Sequence, residues 1–133
     1  MPVRAEGGQT PQLADDVFIA PNAEVIGDVQ LAEHASVWFS SIVRGDGAPV
    51  SLGAGVDIQD NSVVDSQPGQ PCSLGDYTSL GHAAKVHSSR VGSHVLVEGN
   101  IFENCWKADQ KGYAVLLTPS NGGQAAWTVM TRQ

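Results

Sequence analysis

Asp65, His82 and His87 are the residues of this chain best suited to chemistry. Two imidazoles and a carboxylate offer nitrogen and oxygen donors of the kind that hold a divalent metal ion. Asp65 and His87 are 22 residues apart and His82 lies five before His87. Whether such a set converges depends on the elements between its members.

Those elements read as hexads. Aliphatic residues recur six apart at Leu31, Val37 and Val43, at Leu52, Ile58 and Val64, and at Leu74, Leu80 and Val86, and Val91 and Val97 begin a further pair. A six-residue repeat of this kind marks a parallel β-helix, in which three hexads close a triangular coil and coils stack through main-chain hydrogen bonds. Neither a 3.6-residue period nor long strict alternation fits as well. The expected fold is all-β, with about four coils. Two breaks interrupt the beat, and both hold turn formers: Arg44 to Pro49 and Ser66 to Pro71 read as loops bulging from corners. Residues 1–17 read as an irregular lead-in, with Ile19 and Ile26 as the first inward positions.

Register converts the beat into geometry. Val43, Val64 and Val86 fall on one face of successive coils, so Arg44, Asp65 and His87 should form an outward column with neighbours about 4.8 Å apart. Ile58 and Leu80 likewise stack Asp60 on His82. Asp65 and His87 should therefore be neighbours, which suits two ligands of one ion. Arg44, one coil below, offers Asp65 a competing role in an ion pair. Trp38 follows inward Val37 and points outward, either as a subunit contact or beneath the N-terminal segment. His34 and His94 read as solvent-facing corner residues without partners.

The segment FIAPNAEVIGDVQLAEHASVWFSSIVRGD, followed by DIQDNSVVD and GHAAKVH, resembles the γ-class carbonic anhydrase family over roughly residues 10–100. The resemblance implies a left-handed parallel β-helix, a homotrimer, and reversible hydration of carbon dioxide to bicarbonate. It also implies zinc, or another divalent metal such as iron or cobalt, held between subunits by two histidines of one chain and one of its neighbour. His82 and His87 match the two histidines of the family's GHxxxxH motif, and Asp65 stands where the third histidine is usual. Gln59 matches a glutamine beside the metal that holds a water or bicarbonate oxygen. Arg44 and Asp46 match an ion-pairing couple at the trimer interface, and Asp60 and Trp38 complete the interface candidates. Asp65 is shorter than histidine, and its charge would leave a bound water less acidic. Weak activity is therefore expected. The alternative is a catalytically inactive structural or assembly subunit of a trimeric complex that needs no cofactor. A hexapeptide-repeat acyltransferase is disfavoured by the VRGD, IQD and GHxxxxH set.

The remaining features bound the answer. A length of 133 residues suits one compact domain. The β-helix is expected over residues 1–102, with a tail or cap over 103–133 in which Ala114 to Leu117 reads as one more strand. Seven basic against fourteen acidic residues give a net charge of -7, and the basic ones are scattered, so nucleic acid is not an expected partner. No apolar run is long enough to span a membrane. The first 30 residues lack a basic start followed by an apolar core, so a cytoplasmic location is the expectation. Cys72, in a corner loop, and Cys105 read as free thiols.

Overall fold

A computed structural model describes residues 2–98 and the strands Ile101–Phe102, Tyr113–Leu117 and Ala126–Met130. No helix occurs among the described residues. Every described strand through Phe102 pairs in parallel with its neighbours one coil away. The stack is a parallel β-helix with three faces. One face runs Phe18–Ile19, Ser36–Val37, Asp57–Ile58, Ser79–Leu80 and Leu96–Val97. A second carries Val25, Val43, Val64 and Val86 in one inward column. The third stacks Leu13, Leu31, Leu52, Leu74 and Val91.

The core follows from the hexads. Val37, Ile58 and Leu80 are fully buried, as are Val25, Val43 and Val64. Each full burial of such a side chain contributes about 1.5–3 kcal/mol, and β-branched residues fit the pleated strands that carry them. Successive columns interlock along the axis, so one short strand per hexad suffices.

The five stacked rungs of the first face exceed the four coils expected. The reason lies at the N-terminus. Val3–Arg4 and Gln12–Leu13 are not an irregular lead-in, because both pair with the strand Glu24–Leu31 and complete a first coil. Ile26 is also not inward. It pairs with outward Arg44, while Val25 is fully buried. The first trio is Ile19, Val25 and Leu31, six apart, one residue out of step with the Ile19 and Ile26 pairing.

Of the two breaks, only one is a loop. Residues 66–71 turn back tightly, with Gln67 bridged to Gln70 and Gly69 at φ 76. Residues 44–49 instead continue the strand Ile42–Leu52 around a corner, and Val50 supplies an extra inward residue between buried Val29 and Cys72. Gly45 permits this, since a side chain there would collide with the Asp28 carbonyl. Cys72 accordingly lies in the strand Cys72–Leu74 and is buried, not in a loop. Burial pushes its thiol pKa up.

Tyr113–Leu117 pairs antiparallel with Ala126–Met130 in a separate two-stranded sheet. Ala114 to Leu117 is therefore strand, paired antiparallel and not within the parallel stack. The other positions of the expected tail over 103–133, Cys105 among them, lie outside the described residues.

Candidate functional site

Two patches carry the candidate residues, on either side of the tight corner at Ser40, Asn61 and Ala83. These three adopt left-handed backbone at φ 60, 61 and 58 in successive coils. Buried serines brace the corner from within. Ser41 Oγ donates to the Gln59 carbonyl at 2.6 Å, and Ser62 Oγ donates to the Gly81 carbonyl at 2.8 Å.

The first patch is the column Arg44, Asp65, His87, in that stacking order. Asp65 Oδ1 lies 2.6 Å from His87 Nδ1. The other ring nitrogen, Nε2, approaches Gln67 Oε1 at 3.4 Å. Arg44 does not pair with Asp65 as the competing role required. Its guanidinium forks onto Asp46 instead, with Nε at 3.0 Å and Nη2 at 2.5 Å from the two carboxylate oxygens. That hydrogen-bonded contact raises the Arg44 pKa, with the nearby charge of Asp65 as a smaller cause. The same contact lowers the Asp46 carboxyl pKa.

The second patch holds Trp38, Gln59, Asp60 and His82. His82 Nδ1 lies 3.1 Å from Asp60 Oδ2, and its side chain is 71% exposed. The register-based stack of Asp60 and His82 is therefore seen. Trp38, 39% exposed, packs against Phe18 with ring centroids 4.9 Å apart and lies 6.5 Å from the Phe39 ring, centroid to centroid. Phe18, from the N-terminal coil, covers the indole in part. Gln59 Nε2 donates to Asp57 Oδ2 at 3.0 Å and to Ser79 Oγ at 3.2 Å.

Within one chain the structure joins Asp65 to His87 but does not bring His82 to them. Among the described residues no three His, Cys, Asp or Glu side chains converge as a metal site. The donor chemistry on the first patch still fits part of one. Neutral imidazole with carboxylate is a set that zinc and ferrous iron accept, and the bond to Asp65 leaves His87 Nε2 as the ligating nitrogen.

Sequence reasoning missed Asp57, Ser36, Ser79 and Gln67. Ser36, Asp57 and Ser79 stack in adjacent rungs, each just before an inward residue. The register used for Asp65 and His87 would have found them. His34 and His94 are exposed but not alone: His34 Nδ1 pairs with Asp16, and His94 stacks on Tyr77. A groove along the third face, lined in part by Gln30, Ser51, Asp76 and Arg90, touches none of the candidate residues.

No family model matches the chain. Individual relatives do. A Geobacillus kaustophilus protein named carbonic anhydrase is 40% identical over 90 residues, covering 68% of this chain and 50% of that one. An Arabidopsis thaliana protein named gamma carbonic anhydrase 2, mitochondrial, is 38% identical over 95 residues, covering 67% of this chain and 34% of that one. A Bacillus subtilis protein named uncharacterized transferase YtoA is 39% identical over 79 residues, covering 59% of this chain and 46% of that one. The chain thus spans about half the length of the bacterial relatives and about a third of the plant protein. Hexad repeats, a stacked parallel β-helix and these similarities agree, and the chain belongs to the γ-class carbonic anhydrase-like family of left-handed β-helix, hexapeptide-repeat proteins.

Proposed function

We propose that this chain forms a homotrimer that hydrates carbon dioxide reversibly to bicarbonate with low activity. The observation that carries this reading is the pairing of Asp65 with His87 on adjacent rungs, where the family resemblance implies two metal ligands. His87 through Nε2 would hold a zinc, iron or cobalt ion together with His82 of a second copy, and Asp65 would join them through a carboxylate oxygen only by giving up its contact with His87 Nδ1. Such an ion, when bound, brings the pKa of water down toward neutrality.

The chain's own residues do the rest. Asp65 accepts the His87 Nδ1 proton and so fixes the ring, while its negative charge works against the acidity the metal confers. Arg44, pinned by Asp46, keeps a cation near Asp65 and offsets part of that charge. Gln59 holds a ligand oxygen. The exposed Phe18, Trp38 and Phe39 cluster, 42%, 39% and 48% exposed, supplies apolar surface for a second copy to cover.

A second reading has its own support. Asp65 and His87 already satisfy one another, which suits a structural subunit without chemistry. The deciding experiment measures mass by light scattering, bound metal, and carbon dioxide hydration by stopped flow, on wild type and His87→Ala. The proposal expects a trimer with substoichiometric metal and a slow rate that His87→Ala abolishes. A trimer with no metal after zinc loading and no hydration establishes the structural reading. A monomer overturns both.

A further inference from the structure

The turn at residues 66–71 is tied to the coil that carries His87. The Gln67 N–H donates to Ser88 Oγ at 2.9 Å, and the Ser88 N–H donates to the Asp65 carbonyl at 2.9 Å. The Gln70 N–H closes the turn on the Gln67 carbonyl at 3.0 Å. These contacts set the half-buried Gln67 beside the His87 ring.

Proton direction around the ring follows from the donors. The Asp65 carboxylate can only accept, so His87 Nδ1 carries the proton of their 2.6 Å bond and Nε2 of the neutral ring keeps a lone pair. Gln67 Oε1 lies 3.4 Å from that nitrogen, and Gln67 Nε2 donates to Gln70 Oε1 at 2.7 Å. Two acceptors thus face each other. Their separation is longer than the about 2.7–3.2 Å of a nitrogen–oxygen hydrogen bond. It matches the edge between two donors of one tetrahedral ion, since bonds of about 2.0–2.2 Å place such donors about 3.4 Å apart. The amides of Gln67 and Gln70 could turn over together and keep their mutual bond, which would aim an NH2 group at the ring. A cation on His87 Nε2 repels that group and attracts the carbonyl, so it selects the arrangement seen. Asp65 is badly placed to share such a cation. The two nitrogens of an imidazole point away from each other, and a carboxylate bonded at Nδ1 is turned from whatever binds Nε2.

We propose that Gln67, through Oε1, is the second metal ligand this chain supplies beside His87 Nε2, and that Asp65 is a positioning residue that orients the ring from Nδ1. The inference rests on the metal reading above and changes its ligand set to His87 and Gln67 of one copy with His82 of another. An amide oxygen from the turn then stands in for the histidine that position 65 lacks. Carboxylate, histidine and metal in line is the arrangement by which an outer partner fixes a ligating ring.

The test adds cobalt(II), whose visible absorption bands report the number and geometry of its ligands, to the full chain after dialysis against a chelator. Gln67→Ala should weaken cobalt binding on the order of tenfold or more and shift the bands, since even an outer partner of a ligand matters on that scale. Gln67→Glu, which keeps an oxygen at the same reach, should bind at least as tightly as wild type. Asp65→Asn keeps an acceptor for Nδ1 and should leave the bands in place. Wild-type affinity and bands in Gln67→Ala, with binding lost in His87→Ala, overturn the inference and leave the metal reading standing. No cobalt bound by wild type overturns both. Cobalt held through Gln67 by a protein that hydrates no carbon dioxide supports the inference and removes only the enzymatic reading.

Discussion

Asp65 Oδ1 and His87 Nδ1 meet at 2.6 Å although 22 residues separate them in the chain. The contact arises because Val64 and Val86 are register partners and both point inward, which turns their successors outward side by side. It commits one ring nitrogen, while the other, Nε2, has only its long 3.4 Å contact with Gln67 Oε1. Asp65 thus has two roles that pull apart: orienting the imidazole and donating to an ion. A histidine there could not accept the Nδ1 proton while it bound metal through the same nitrogen.

Asp65→His therefore separates the two roles. Bound zinc should rise and the hydration rate should increase on the order of tenfold, the scale of altered metal surroundings. Thermal stability should fall by about 1 kcal/mol for the lost hydrogen bond. Metal analysis, stopped-flow hydration and calorimetry on one preparation check this. A drop in melting temperature without any gain in zinc would favour the structural subunit.

Asp46 should make the fold acid-sensitive. Its carboxyl pKa is held low in the folded chain by Arg44, so the contact stabilises fully above the unfolded carboxylate range. The contribution is lost as pH falls through the lower folded value, which puts the window below about pH 4. Asp46→Asn should melt lower than wild type at pH 7, and the gap should close on acidification. A constant gap down to pH 2 would count against this.

Ile58 should be the costlier of two truncations. It is fully buried at the centre of its column, and Ile58→Ala should lose about 3 kcal/mol of unfolding free energy. Lys85 is exposed, and Lys85→Ala should change stability by less than about 0.5 kcal/mol. Urea titration of both variants compares them directly, and near-equal midpoints would contradict the assigned core.

Cys72 should resist alkylation in the native state. The side chain is buried and its thiol pKa is raised, so both access and thiolate are scarce. Peptide mapping after iodoacetamide should find Cys72 unmodified until denaturant unfolds the coils. Rapid labelling in buffer would mean that the third face opens readily.

The amino-acid sequence by itself determined the repeat and hence the architecture. Six-residue spacing is local, and the inward positions Val37, Ile58, Leu80, Val43, Val64 and Val86 follow from it because only aliphatic residues gain by burial there. It also determined that Asp65 would neighbour His87 and Asp60 would neighbour His82, since stacking preserves register. Tertiary structure alone decided where weak signals joined the stack. Val3–Arg4 and Gln12–Leu13 carry too few apolar residues to announce strands, and pairing with Glu24–Leu31 makes them so. Val25 rather than Ile26 turned inward because an apolar residue can occupy either side of a pleat, and the neighbouring coil sets the phase. Residues 44–49 stayed extended because Gly45 lets the main chain pass close to Asp28. Arg44 chose Asp46 over Asp65, and Gln59 turned its nitrogen to Asp57, because side chains select partners by distance and proton direction, which exist only once the coils are stacked.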